Sequence, residues 1–251
     1  MTFIDPENFG RASTFIHVCQ GGALLVLGAA EAYAADNRVK KINFLPPAAF
    51  ILGAALMLGS MLYFLGGWKL QPLRDALELK GGFYIFAAFA WFFAAAGLAR
   101  LMALHMGEKG GAWQFLFLGF LCVIGLLYFS VPYRVNEAAW QPVFAAHAAM
   151  GITLLAAVLA KLLHFFYKKK AFQVIWAVLI FITAGQLLIY RENPRAFEFR
   201  AVNIQSRTAP GARVRLRRTV SQSSPELQIP AIKKPAAKTN AKPADKKRPS
   251  N

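Results

Sequence analysis

The 251-residue chain is 57% hydrophobic and only 16% charged, with 22 Phe, where a soluble domain carries roughly 45–50% and about 25%. So much apolar surface cannot be enclosed in a soluble globule of this size, which excludes an ordinary soluble enzyme, a disulfide-stapled secreted domain and a wholly disordered chain. Charge is uneven: of 29 Lys+Arg and 12 Asp+Glu, residues 191–251 hold 15 and 4, a net of +11, leaving +6 on residues 1–190.

A helix needs roughly 20 apolar residues to cross a bilayer, and the chain supplies that length six times, at about 13–35, 44–68, 82–105, 112–133, 143–167 and 171–190. The expected fold is an all-α integral membrane protein, a six-transmembrane-helix bundle over residues 1–190. The first dozen residues carry Asp5 and Glu7 against a single basic group, Arg11, which is not the start of a cleavable signal peptide. Asp36-Asn37-Arg38 closes the first span, and Pro46-Pro47 suits the first turn of the second. Leu70, Leu73 and Leu77 alternate with Arg74, Asp75, Glu78 and Lys80, an amphipathic stretch suited to the membrane interface. Gly81-Gly82 opens the third span, Gly107 to Gly111 ends it, and Pro142 opens the fifth. Tyr33, Trp68, Trp113, Tyr133, Trp140, Tyr167 and Tyr190 fall near span ends, as an aromatic belt requires. The pairs Gly28/Ala32, Ala55/Gly59 and Ala90/Ala94 are candidates for close helix approach. Cys19 and Cys122 lie in apolar runs and in no metal-binding spacing.

An even number of spans puts both termini on one side. That side holds Arg11, Lys69, Arg74, Lys80 and Arg134 in its short loops, and Arg191, Arg195, Arg200 and Arg207 beyond the last span. Nine basic groups against seven opposite place both termini in the cytoplasm, and the protein in a cytoplasmic (inner or plasma) membrane. Residues 191–251 form a basic tail with room for a small hairpin over 197–220; from about 222, Ser, Pro, Lys and Ala dominate and predict disorder. The tail's charge suits anionic lipid or another polyanion, and the absence of interleaved aromatics argues against nucleic acid.

Ionisable residues inside spans are functional candidates because burying them is costly. Here they are His17 and Glu31, Arg100 and His105, and His147, Lys161 and His164, all on odd-numbered spans that run in the same direction. His17 and His147 each begin an H-x3-G-x2-L-L run, and fourteen residues later stand Glu31 and Lys161. That spacing is about 21 Å of helix and within some 40° of whole turns. If the two helices face each other, the histidines meet at one level and the charges at another. Glu31 and Lys161 then form a buried ion pair, and losing Lys161 alone should harm the fold more than losing both.

Two imidazoles facing across a bundle can ligate haem iron axially. His17 and His147 are the first candidate pair for haem b, His105 and His164 a second, with Arg100 near the propionates. The arrangement resembles multi-helix membrane b-type cytochromes, which use histidines on transmembrane helices in two layers. It departs from them at His147 and His164, whose separation of seventeen residues turns one ring about 100° from the other. The resemblance implies a membrane-anchored electron-carrier subunit, working with other membrane subunits. The competing expectation is a scaffold or assembly factor whose tail binds anionic lipid, a protein partner or RNA. A free-standing enzyme is not expected: no HExxH, nucleophile elbow, P-loop or dinucleotide fingerprint is present.

Overall fold

The computed structural model describes residues 5–36 and 40–197. These are mostly helical, with short turns between the helices and no strand among them. The hairpin and the disorder expected after residue 197 lie outside the described residues.

The α-helices are α1 (Pro6–Asp36), α2 (Leu45–Phe64), α3 (Leu70–Leu79), α4 (Tyr84–Met106), α5 (Gly111–Leu127), α6 (Glu137–Tyr167) and α7 (Lys170–Ile189). Six segments, containing all of these but α3, are long and apolar enough to cross a membrane. Pro46 and Pro47 stand in the first turn of α2, where the missing N–H groups have no helical partner to lose. Pro142, by contrast, lies inside α6, which starts more than a turn before the expected 143. Helix α1 likewise begins at Pro6 and not near residue 13. The amphipathic stretch forms α3, with Ala76 inward and the Arg74–Glu78 pair (2.8 Å) outward. Gly67 and Trp68, both at positive φ, make the turn between α2 and α3.

The six long helices close into a ring. Helix α1 packs on α2, α2 on α4, α4 on α5, α5 on α6, α6 on α7 and α7 back on α1. Helices α1, α4 and α6, the odd-numbered spans, therefore alternate with the others, and their inward side chains converge on one interior. Of the glycines the spacing singled out, Gly28 is close to α7, where a Cβ would meet the Ile180 side chain at 3.2 Å, and tighter approaches occur at other glycines. A Cβ on Gly151 would meet the Gly125 carbonyl at 2.7 Å and the Phe129 ring at 2.8 Å, so this pair lets α5 and α6 touch backbone to backbone. Gly59 faces open space.

The interior is layered. Leu24, Leu27, Leu121, Ile124, Leu154 and Ile180 form an apolar belt, each wholly inaccessible, with buried Thr183 bonded to Thr153 beside it. On either side of it lies a buried polar group, one near the end where α1 begins and α7 finishes, the other near the opposite end.

Candidate functional site

The segment after α5 tightens from α-helix to a 3-10 helix over Tyr128–Arg134. A three-residue repeat puts positions i and i+3 on one face, which directs Tyr128, Val131 and Arg134 inward together; all three are buried. Gly82 makes the space, because a Cβ there would lie 2.7 Å from the Arg134 Cα. Beyond α7 the chain folds back over the same end of the bundle: the Asn136 N–H donates to the Ala196 carbonyl at 3.1 Å, and Phe197 packs against Phe9 and Phe83. This return brings Glu192 inside.

Glu192 Oε2 accepts from Arg134 Nη2 at 2.5 Å and from Ser13 Oγ at 2.6 Å, and Oε1 accepts from the Tyr190 hydroxyl at 2.9 Å. The Arg134 and Glu192 side chains are 1% and 4% exposed. The Arg134 guanidinium also lies over the rings of Phe83, Phe86 and Phe197, which supply cation–π attraction where its Nε and Nη1 have no hydrogen-bond acceptor. Burial would raise the Glu192 carboxyl above its ordinary range, but the adjoining guanidinium outweighs it and holds the group at about 2.

Just inward of this ion pair, His17 and His147 meet. Their Nε2 atoms are 3.2 Å apart and the ring centroids 5.4 Å apart, so the imidazoles point nearly end to end. Each Nδ1 donates to the carbonyl one helical turn back, His17 to Ser13 at 2.7 Å and His147 to Val143 at 2.8 Å. Both rings are sealed from solvent. Tyr190, expected in an outer aromatic belt, turns inward and sits 4.8 Å from both imidazole centroids. Phe86 and Tyr128 complete the surround at 6.3 and 6.2 Å.

The protonation logic is constrained. A carbonyl oxygen can only accept, so both Nδ1 atoms carry hydrogens. Neutral imidazoles would then bring two Nε2 lone pairs face to face at hydrogen-bonding distance, a repulsive contact. A Brønsted or Lewis acid between the nitrogens removes it. The donor set has the orientation that axial ligands of haem use, with Nδ1–H held by a carbonyl. The space around it does not fit a macrocycle as packed. A haem iron between the two nitrogens, at roughly 2.0 Å from each, would need them about 4 Å apart and not 3.2 Å. Tyr190, equidistant from both rings, fills the bisecting plane in which a porphyrin would lie.

At the other end, Glu31 of α1 is the centre of a second cluster. Its Oε2 accepts from Lys161 Nζ at 2.6 Å and Gln173 Nε2 at 2.7 Å, and its Oε1 accepts from Arg100 Nη2 at 2.8 Å. Arg100 Nη1 donates to Gln114 Oε1, and Lys161 also donates to Gln173 at 2.8 Å. Arg100 thus joins the ion pair at this end, the opposite end from the His17–His147 pair. His105 is exposed at the end of α4, while His164 donates to the Lys169 carbonyl at 3.1 Å. No hydrogen bond or ring contact joins those two histidines among the described residues.

Sequence reasoning missed Arg134, Glu192, Ser13 and Gln114. Arg134 was counted as a loop charge, and nothing in its spacing marks the 3-10 turn that buries it. No family model matches the chain, and neither a curated protein nor a solved structure matches it.

Proposed function

We propose that this chain is an integral membrane protein whose functional group is the His17–His147 pair, holding one proton between its two Nε2 atoms. Membrane residence is supported by an inverted pattern of burial: Leu52, Trp91, Leu126, Ile152 and Leu159 face outward, while Glu31, Arg134, His147 and Lys161 face inward. Both ends are assigned to the cytoplasm, by eight basic groups against seven once Arg134 is taken inside. The sequence beyond 197 has the positive charge that anionic lipid attracts.

The observation that carries the proton reading is the 3.2 Å approach of two nitrogens whose ring partners both donate to carbonyls. Burial opposes the resulting charge. Three aromatic rings around the pair and the two carbonyl oxygens offset that opposition, and the neighbouring Arg134–Glu192 pair is itself neutral. Such a pair is a proton-binding station near one end of the bundle. The ion pair of Glu192 and Arg134 lies just outside the histidines, so the exchange proposed is with the end where Glu192 lies. Nothing in this reading requires the chain to be an enzyme.

A second reading, the electron-carrier subunit with haem b, is favoured by the Nδ1–H orientation alone. It requires the rings to part and Tyr190 to leave the bisecting plane; the haem would then supply one-electron chemistry. One preparation separates the readings. Protein purified in detergent from haem-sufficient cells is expected to show no Soret or alpha band in a reduced-minus-oxidised spectrum. It is also expected to show a far-downfield proton resonance coupled to nitrogens of both histidines, lost in His147→Phe. Haem bands lost in His147→Ala would replace the proton station with the electron carrier. A colourless protein without the shared-proton resonance would overturn both and leave the membrane scaffold with a basic tail.

A further inference from the structure

Residues 191–197 run back across the end of the bundle as a strap, irregular at first and closed by a short 3-10 turn over Pro194–Phe197. The strap is tied down by backbone and side chains together. The Asn136 N–H donates to the Ala196 carbonyl at 3.1 Å, and the Phe197 ring sits 5.2 Å from Phe83 and 6.2 Å from Phe9. Glu192 accepts from Arg134 and Ser13. At the joint with α7, the Tyr190 ring lies 4.8 Å from each imidazole centroid while its hydroxyl donates to Glu192 Oε1 at 2.9 Å. A movement of Glu192 is therefore passed to the ring that covers the histidines.

The flank of the strap toward α1 is open. A groove of about 820 Å³ lies there, lined by Glu192, Asn193 and Phe197 of the strap and by Gly10, Thr14 and Phe15 of α1. Gly10 adds no side chain to that wall, and a Cβ on it would meet no atom within 4 Å. A segment largely outside regular helix, anchored on one side and bordered by open space on the other, belongs to the low-stability end of a structure. Lifting it lets water reach Arg134 and Glu192 together, so neither charge is left alone in an apolar interior.

We propose that residues 191–197 are a gate over the His17–His147 pair. The strap turns at Tyr190 between the closed position described above and an open one, in which water entering from the groove reaches the imidazoles. In the open form the shared proton passes from Nε2 to water, giving two neutral rings and a hydronium ion, and it returns by the reverse step. The population of the open form then sets the rate of exchange. The purpose of the gate rests on the proton-station reading; its motion does not.

The test uses the full chain in detergent, with the free thiols Cys19 and Cys122 replaced by Ser in every protein compared. Asn136→Cys/Ala196→Cys places a thiol on either side of the 3.1 Å backbone bond, so oxidation locks the strap and a reductant frees it. Diethyl pyrocarbonate acylates an imidazole nitrogen that it can reach, and peptide mass spectrometry reads each histidine separately. The exposed His105 calibrates the reagent. Modification of His17 and His147 relative to His105 is expected to fall about tenfold on oxidation and to recover on reduction, following the open fraction. Phe197→Ala removes the aromatic anchor and leaves every charge in place, so it should raise the rate about tenfold. The oxidised and reduced forms of one preparation carry the test where Phe197→Ala does not fold, and Phe197→Ala carries it where the two thiols do not join. Equal rates in the two redox forms, or an unchanged rate in folded Phe197→Ala, overturns the gate. The shared-proton resonance separates this failure from that of the station. Its absence from a protein whose strap controls the reagent removes the station and keeps the gate; its presence with equal rates keeps the station and removes the gate.

Discussion

At the end where α1 begins, Arg134 and Glu192 are one cation and one anion at 2.5 Å, closed over by Phe83, Phe86 and Phe197. At the other end, among the described side chains Glu31 answers both Arg100 and Lys161. The first layer is charge-balanced and capped by a returning chain, so what it can exchange is confined to the imidazole pair beneath. In the second, two cations share one carboxylate, and the side-chain amides of Gln114 and Gln173 complete their hydrogen bonds. The same burial that makes each charge costly is thus met by a matched pair in one layer and by a shared carboxylate in the other.

Removing a partner from the balanced layer should have the larger effect. Arg134→Met leaves the Glu192 carboxylate buried with Ser13 and Tyr190 as its donors among the described residues, and truncating one side of such a pair costs about 3–5 kcal/mol. The double variant Arg134→Met/Glu192→Gln should recover much of that loss in denaturant unfolding of the detergent-solubilised protein. A double variant as unstable as the single one would show that Arg134 acts through its aromatic contacts and not through its charge.

In the layer with the shared carboxylate the order of damage depends on the third charge. With Glu31 and Lys161 alone, losing Lys161 would strand a carboxylate, and the sequence led to that expectation. Arg100 reverses it. Lys161→Met leaves Glu31 and Arg100 as a neutral pair, whereas Glu31→Gln leaves two cations facing one neutral amide. Glu31→Gln should therefore be the most destabilising, by a few kcal/mol. Glu31→Gln/Lys161→Met should be intermediate and Lys161→Met the mildest. If Lys161→Met proved worse than the double variant, Arg100 would not be serving as a partner of Glu31.

This reversal also marks where the sequence stops being legible. The six long helices follow from apolar length alone, and His17, His147, Glu31 and Lys161 could be placed at matching depths because helical rise and rotation are fixed per residue. Arg100 is legible as an ionisable residue late in the third span, at the layer of Lys161, but whether it faces Glu31 depends on how α4 is turned in the ring, which no spacing encodes. Arg134 and Glu192 were hidden more thoroughly. Both lie outside regular helix, where the i, i+3 face of a 3-10 turn and the fold-back after α7 decide burial. Tyr190 shows the same limit: proximity to a span end predicts an interfacial ring, yet the returning chain turns it onto the histidines.

The smallest effect expected is in acid, and it tests the balanced layer without a change of shape. Burial works to raise the Glu192 carboxyl, but Arg134, with smaller help from His17 and Ser13, holds it at about 2 against an ordinary 4.5. Because the folded value is the lower one, the unfolded chain binds the proton first as pH falls. The contribution of Glu192 is thus complete above about 4.5 and is lost progressively as pH drops through about 2. A depression of this size corresponds to about 3 kcal/mol of stability. Glu192→Gln cannot titrate, so its unfolding free energy should vary less across that window than that of wild type, with the two curves converging at the acid end. Parallel curves would mean that the carboxylate is not held by Arg134 in solution, and the seal over the imidazole pair would then have to rest on Phe197 and Tyr190.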